Sequence, residues 1–341
     1  MGWFEEGLGV AFTVLGLLVL AAPAAADDDE DDQPRQDILF SSDREAAGLS
    51  LDIYAMRPDG TDIIRLTETA GFWNNGPDWS PNGERIAFFR CHFVAPPLVV
   101  ECDIWVMNAD GTGEAPLTTT PGALELFPTW SPDGKHVLFS RFTPAGGSDL
   151  FVMDADGSNV TNITNTPTVG ETDPDWSPSG KEILYSSAPP GAPFVRCLTA
   201  LICSQPTDIY RHNLKDGTST NLTNSSTSVD WNPMWSANGQ KIAFSSTRAS
   251  GNAYIDDVFV MDADGSDVQR LTTSGSHDWG PTWSRNGQRI YFHSNRDLRT
   301  NCLTPLFGLC TQLYVMDADG ENEDPVLVED ASIHVFDVYR G

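Results

Sequence analysis

Short apolar runs of four to six residues, bounded by Asn-Gly or Asp-Gly, recur from about residue 38 to the end of the chain. Runs such as Arg85-Ile-Ala-Phe-Phe and Lys241-Ile-Ala-Phe-Ser are too short for helices and rich in strand-forming side chains. Glycine accepts the positive φ of a tight hairpin, so the pairs that bound them predict antiparallel strands joined by turns. One frame repeats. Trp-Ser stands at Trp79-Ser80, Trp130-Ser131, Trp176-Ser177, Trp235-Ser236 and Trp283-Ser284, each followed by a turn such as Pro-Asn-Gly or Pro-Asp-Gly and a second run. A variable loop then leads to a third run that ends at Asp59-Gly60, Asp110-Gly111, Asp156-Gly157, Asp216-Gly217, Asp264-Gly265 or Asp319-Gly320.

With a fourth strand after each Asp-Gly, every unit supplies four antiparallel strands. Repeats of this size predict an all-β, six-bladed β-propeller, a fold that closes on itself and so leaves few exposed edges. The first unit begins late, at Ile38, and has no Trp-Ser strand of its own. The alternating tail Ile333-His-Val-Phe-Asp-Val-Tyr339 has no unit of its own. It is therefore expected to pair into blade 1 and close the ring. The tight turns fall on one face of the disc, and the long variable loops and blade-to-blade connections fall on the other. Function is expected on the long-loop face.

Cysteine spacing fits that division. Cys91 and Cys102, Cys197 and Cys203, and Cys302 and Cys310 form three close pairs in the corresponding loops of alternate blades. Local disulfides are expected, in keeping with an exported chain. An apolar stretch from Val10 to Ala22, followed by Ala24-Ala25-Ala26, reads as a signal peptide over 1–26 although no Lys or Arg precedes it. The acidic run after it reads as a disordered linker over 27–36, with the propeller over 37–341. No stable membrane insertion is expected after cleavage. Export leaves the periplasm, the cell surface or the medium as destinations. A net charge of −28 excludes nucleic acid as a partner class, because such binders need clustered basic residues.

The connections that enter the first strands carry the candidate site. Asn74, Glu125, Glu171, Asp230 and Asp278 each lie three residues before a proline, with Trp73, Trp231, Trp279 and His277 close by. Equivalent positions in a ring converge on its mouth, and carboxylates among aromatic faces suit a cationic ligand such as a Lys- or Arg-bearing peptide. A second reading stays open. Arg44, Arg90, Arg141, Arg248 and Arg296 end the second strands on the same face and could pair with those carboxylates inside the protein. The segments at Met153–Asn159, 261–267 and 316–322 resemble the start of a calcium loop but lack its terminal Glu, so turn chemistry accounts for them. No cofactor or metal is expected.

Trp130-Ser-Pro-Asp-Gly-Lys135, the Phe-Ser strand after it and Leu150-Phe-Val-Met-Asp-Ala-Asp-Gly157 resemble the TolB-like propeller repeat over about residues 38–341. The resemblance does not extend to the α/β domain that precedes the propeller in that family. It implies an exported, non-catalytic binding or scaffold module, a monomer whose partner is a protein or peptide, with an envelope association. The alternatives are a propeller hydrolase or lyase with His277 in its mouth, or a calcium-stabilised surface protein.

Overall fold

Each Trp-Ser run forms a first strand: Phe72–Trp79, Leu124–Trp130, Glu171–Trp176, Asp230–Trp235 and Asp278–Trp283. The tail strand Ile333–Val338 takes the corresponding place for the first unit. The structure, a computed structural model, describes residues 37–45, 50–94, 99–143, 147–166, 169–188, 206–250, 255–296, 311–327 and 333–338. Among these there are strands and turns and no helix, so no helix is long and apolar enough to cross a membrane. The segments assigned to a signal peptide and an acidic linker lie outside the described residues.

Four separate four-stranded antiparallel sheets and one eight-stranded sheet make up the fold. Hydrogen bonding therefore does not yield the six separate sheets that the repeat count predicts. The units over 72–116 and 124–162 are joined by one parallel pairing, Cys102 with Leu124. Corresponding parallel bridges, Leu51 with Trp73, Ser148 with Gly170 and Thr207 with Val229, remain isolated contacts between sheets. The pairing that fuses two sheets is thus the local extension of a seam contact made elsewhere in the molecule.

The C-terminal strand does pair with the first described strand, Ile38–Ser42, in antiparallel register from Ile38 opposite Val338 to Ser42 opposite Ile333. The six first strands contact one another in a closed circuit that runs from Phe72–Trp79 round to Ile333–Val338 and back. Carboxylates fasten parts of the circuit. Asp337 Oδ2 accepts from Trp79 N at 3.1 Å, Asp78 Oδ2 from Trp130 N at 2.7 Å and Asp175 Oδ2 from Trp235 N at 2.7 Å. Where Thr129 or Met234 stands in place of the aspartate, the next unit's Trp176 or Trp283 indole donates to its carbonyl instead.

The core lies between sheets, where cross-strand pairs such as Phe244 and Phe259 meet aliphatic residues of the neighbouring unit. The Asp-Gly turns also press on a neighbour. A Cβ added at Gly111 would lie 2.5 Å from the Leu66 carbonyl oxygen, and one at Gly60 would lie 2.2 Å from that of Val326. Glycine is required there for close approach as well as for positive φ.

Candidate functional site

In the five units with a complete Trp-Ser strand, that strand enters as acid or Asn, x, y, Pro, and y has left-handed backbone: Gly76, Phe127, Asp173, Asn232 and Gly280, with φ of 48° to 63°. Proline cannot donate to the ladder, and a left-handed residue before it inserts a bulge. In the second complete unit Leu126 faces Ser140, but Thr129 faces Leu138, so the first strand gains a residue. Phe127 is the costly member of the series, since a bulky side chain disfavours positive φ. Its ring meets Phe89 edge to face at 5.7 Å. Ahead of the bulge, ordinary strand alternation separates two sets of side chains. Asn74, Glu125, Glu171, Asp230 and Asp278 are buried, whereas Trp231 and Trp279, one residue later, are half-buried.

Four of the five buried groups meet arginines of their own sheets. Arg90 Nε donates to Asn74 Oδ1 at 2.6 Å and Arg141 Nε to Glu125 Oε1 at 2.7 Å. Arg248 lies 2.7 Å from Asp230 and Arg296 lies 3.0 Å from Asp278. Each of these guanidinium groups also lies over an aromatic pair, as Arg248 does over Phe244 and Phe259 at 5.0 and 5.3 Å.

Glu171 differs. Its Oε1 accepts from Thr166 Oγ1 at 2.8 Å, and no ion pair to it occurs among the described residues. Burial pushes its pKa up to about 7, with the Thr164 and Thr166 hydroxyls pulling the other way and the Asp149 charge adding to the rise.

The sequence grouped three tryptophans and a histidine, and the structure divides them. Trp231 and Trp279 stack at 5.5 Å with planes 9° apart, and His293 stacks on Trp279 at 4.3 Å. Both indole N–H groups lack a hydrogen-bond partner. Trp73 stands two positions earlier in its repeat, against a core cluster of its own sheet. His277 occupies that earlier position too. Its Nδ1 lies 3.0 Å from Asp256 Oδ2, both side chains are buried, and its ring is 5.9 Å from Trp279. Asp173 lies on the next first strand from Trp231, and burial raises its pKa against the hydrogen bond it accepts from Asn232 N.

Sequence reasoning missed the second rank of carboxylates on the third strands: Asp52, Asp103, Asp149, Asp208 and Asp257. The first four hold the chain that leaves the fourth strand, and Asp257 meets Arg270 of the fourth strand itself. Asp208 accepts from Thr223 Oγ1 at 3.0 Å and Ser225 N at 2.6 Å, and Asp149 accepts from Thr166 N at 2.6 Å. Arg65 meets Asp52 at 2.7 Å, and Arg270 meets Asp257 at 2.8 Å. The regular spacing of 21 or 22 residues between each such aspartate and the next unit's acidic or Asn position was the available signal.

Cys91 and Cys102 are disulfide-bonded directly across paired strands, so this bridge lies within the ladder and not in the loop beyond it. Cys197, Cys203, Cys302 and Cys310 lie outside the described residues. No cluster of three or more His, Cys, Asp or Glu that could hold a metal occurs among the described residues.

Residues 195–302 match the family model of the TolB β-propeller domain. An uncharacterized protein of Agrobacterium fabrum is 29% identical over 112 residues, and the match spans 31% of this chain and 36% of that relative. Among solved structures, TolB from Acinetobacter baumannii superposes with a TM-score of 0.68 at 20% identity, over 89% of this chain and 67% of its own. A TolB of Agrobacterium tumefaciens described as putative superposes with a TM-score of 0.61 at 22% identity, over 85% and 88%. A puromycin-hydrolyzing peptidase of Mycobacterium tuberculosis also shares the fold, with a TM-score of 0.55 at 14% identity over 81% and 42%. Fold alone leaves activity open, since propellers host unrelated functions. The neighbours give this chain the fold of the TolB β-propellers, and residues 195–302 match the model of that family.

Proposed function

We propose that this protein is an exported, monomeric binding module that takes a cationic group of a protein or peptide partner at the mouth of its propeller. In this reading the eight-stranded sheet counts as two blades and the propeller has six. Residues 1–26 serve as the export signal, 27–36 as an acidic linker, and Cys197–Cys203 and Cys302–Cys310 as two further disulfides. The observation that carries the proposal is the stacked, half-buried Trp231–Trp279 pair, with Asp173 on the adjacent first strand. Two parallel indoles offer a flat π-face to a cation. The long-loop face around them supplies the area that a macromolecular partner needs.

Isothermal titration of the purified protein with spermidine and with a Lys/Arg-rich peptide tests this. Binding that falls about tenfold or more in Trp231→Leu/Trp279→Leu, with thermal stability near wild type, is expected. Affinity unchanged in that variant, or no binding of either probe to the wild type, overturns it.

A further inference from the structure

Five units build the same cation site from the same parts. A cross-strand aromatic pair forms its floor: Phe40 with Tyr54, Phe88 with Trp105, Phe139 with Phe151, Phe244 with Phe259, and Phe292 with Tyr314. An arginine from the end of the second strand lies over both rings in every case. The distances are 4.7 and 4.9 Å for Arg44, 5.4 and 4.4 Å for Arg90, 5.5 and 4.2 Å for Arg141, and 5.4 and 4.6 Å for Arg296. In four of the five the guanidinium also reaches the buried Asn or carboxylate of its own first strand.

The unit over 171–221 has the floor and the carboxylate without the arginine. Tyr185 and Tyr210 stand opposite each other and stack at 5.5 Å with planes 19° apart, as Phe40 and Tyr54 do. Glu171 is 2% exposed, and its Oε2 has no hydrogen-bond partner. Glu171 faces Ser187 and Tyr185 stands two residues before that serine, just as Phe244 stands two residues before the Ser246 that faces Asp230. Arg248 and Arg296 stand two residues past the serine that faces the acid; the corresponding residue past Ser187 is Pro189. Asp149 of the neighbouring sheet adds a second carboxylate, held by Thr166 and Asn162. Among the described residues, no arginine joins this pair of acids or lies over Tyr185 and Tyr210.

We propose that Glu171, Tyr185 and Tyr210 form the recognition site for a guanidinium group brought by a ligand, namely an arginine side chain of the partner. The group lies over the tyrosine pair and donates to Glu171 as Arg141 does to Glu125. Guanidinium fits better than ammonium because its flat face can lie on the rings while its edge donates to the carboxylate. This deepens the mouth reading by naming the ligand chemistry and the residue that selects it. It needs the long-loop face to be the binding face, and it does not need the tryptophan pair.

The test titrates the full chain with N-acetyl-arginine amide, its neutral isostere N-acetyl-citrulline amide, and N-acetyl-lysine amide at pH 8. Arginine amide is expected to bind at least tenfold more tightly than the other two. Glu171→Gln should lose that preference, while Glu125→Gln, whose carboxylate the chain's own Arg141 already answers, should keep it. Tyr210→Leu, which retains an apolar floor without the π-face, should weaken arginine amide severalfold and serves if Glu171→Gln folds poorly. Equal affinity for arginine and citrulline amides, or arginine binding unchanged in both Glu171→Gln and Tyr210→Leu, overturns the proposal. If spermidine still binds and depends on Trp231 and Trp279, only the Glu171 site falls. If no cationic probe binds, both readings fall.

Discussion

Among the described residues, Glu171 at the start of one first strand meets no arginine, whereas Asp230 at the start of the next meets Arg248, and the consequences spread from that contrast. Asp230 is ringed by Arg248, Ser246 and Ser228, with both oxygens engaged. Glu171 has the same place in its strand and the same depth of burial, but one oxygen has no partner and its proton is held to about pH 7. Burial alone disfavours a carboxylate's charge, and an adjacent arginine restores it. The same backbone position is thus a structural ion pair in one sheet and a buried, titratable carboxyl in the other. The sequence shows acids at both positions; the difference comes from what ends the second strand.

The largest test of this contrast breaks an internal pair. Arg141→Ala leaves Glu125 buried with no cation, and a loss of about 3 kcal/mol in urea-unfolding stability is expected. Because Arg141 is 17% exposed, water can reach part of the site, so the upper end of the usual range is not expected. Glu171→Gln at pH 8 should be neutral or stabilising. Equal losses in the two variants would erase the distinction.

The second test is the pH dependence. Glu171 binds its proton more tightly folded than unfolded, so its contribution to stability is fully present below about pH 4.5 and is lost as pH rises through about 7. The wild-type minus Glu171→Gln difference should therefore fall across that window by on the order of 2–3 kcal/mol and stay level above it. Unfolding curves at several pH values check this, and a difference that rises with pH would contradict the assignment.

The smallest effect concerns the seams. Asp175→Asn keeps an acceptor for Trp235 N but removes its charge, and about 1 kcal/mol of destabilisation is expected by thermal melting, alike at pH 6 and pH 8. A pH-dependent change of the size expected for Glu171 would show that the seam acids are not merely structural.

Much of the frame could be read from residues. The Trp-Ser and Asp-Gly spacing specified strands and turns, and the alternating tail specified the closing strand now seen opposite Ile38–Ser42, whereas the six separate sheets expected from the repeat count are not what hydrogen bonding yields. The candidate carboxylates were found by position, but their depth was not. Alternation along a strand gives the face of a side chain, and the bulge at residues such as Phe127 and Asp173 breaks that alternation, separating Glu125 and Glu171 from the residues that follow. Trp73 and Trp231 looked equivalent by proximity to the acids, yet Trp73 stands one residue before Asn74 and Trp231 one residue after Asp230, both ahead of the bulge.

By itself the sequence determined the repeat, the strand and turn chemistry, the acidity and the residue types available at each position, because all of these follow from local periodicity and composition. Only the tertiary structure decided which acids meet arginines, which tryptophans stack, and where Gly60 and Gly111 must yield space to a neighbouring unit's carbonyl. Those outcomes depend on contacts between strands and between neighbouring units, where burial sets the energy of a charge and one side chain in the adjoining strand can reverse it.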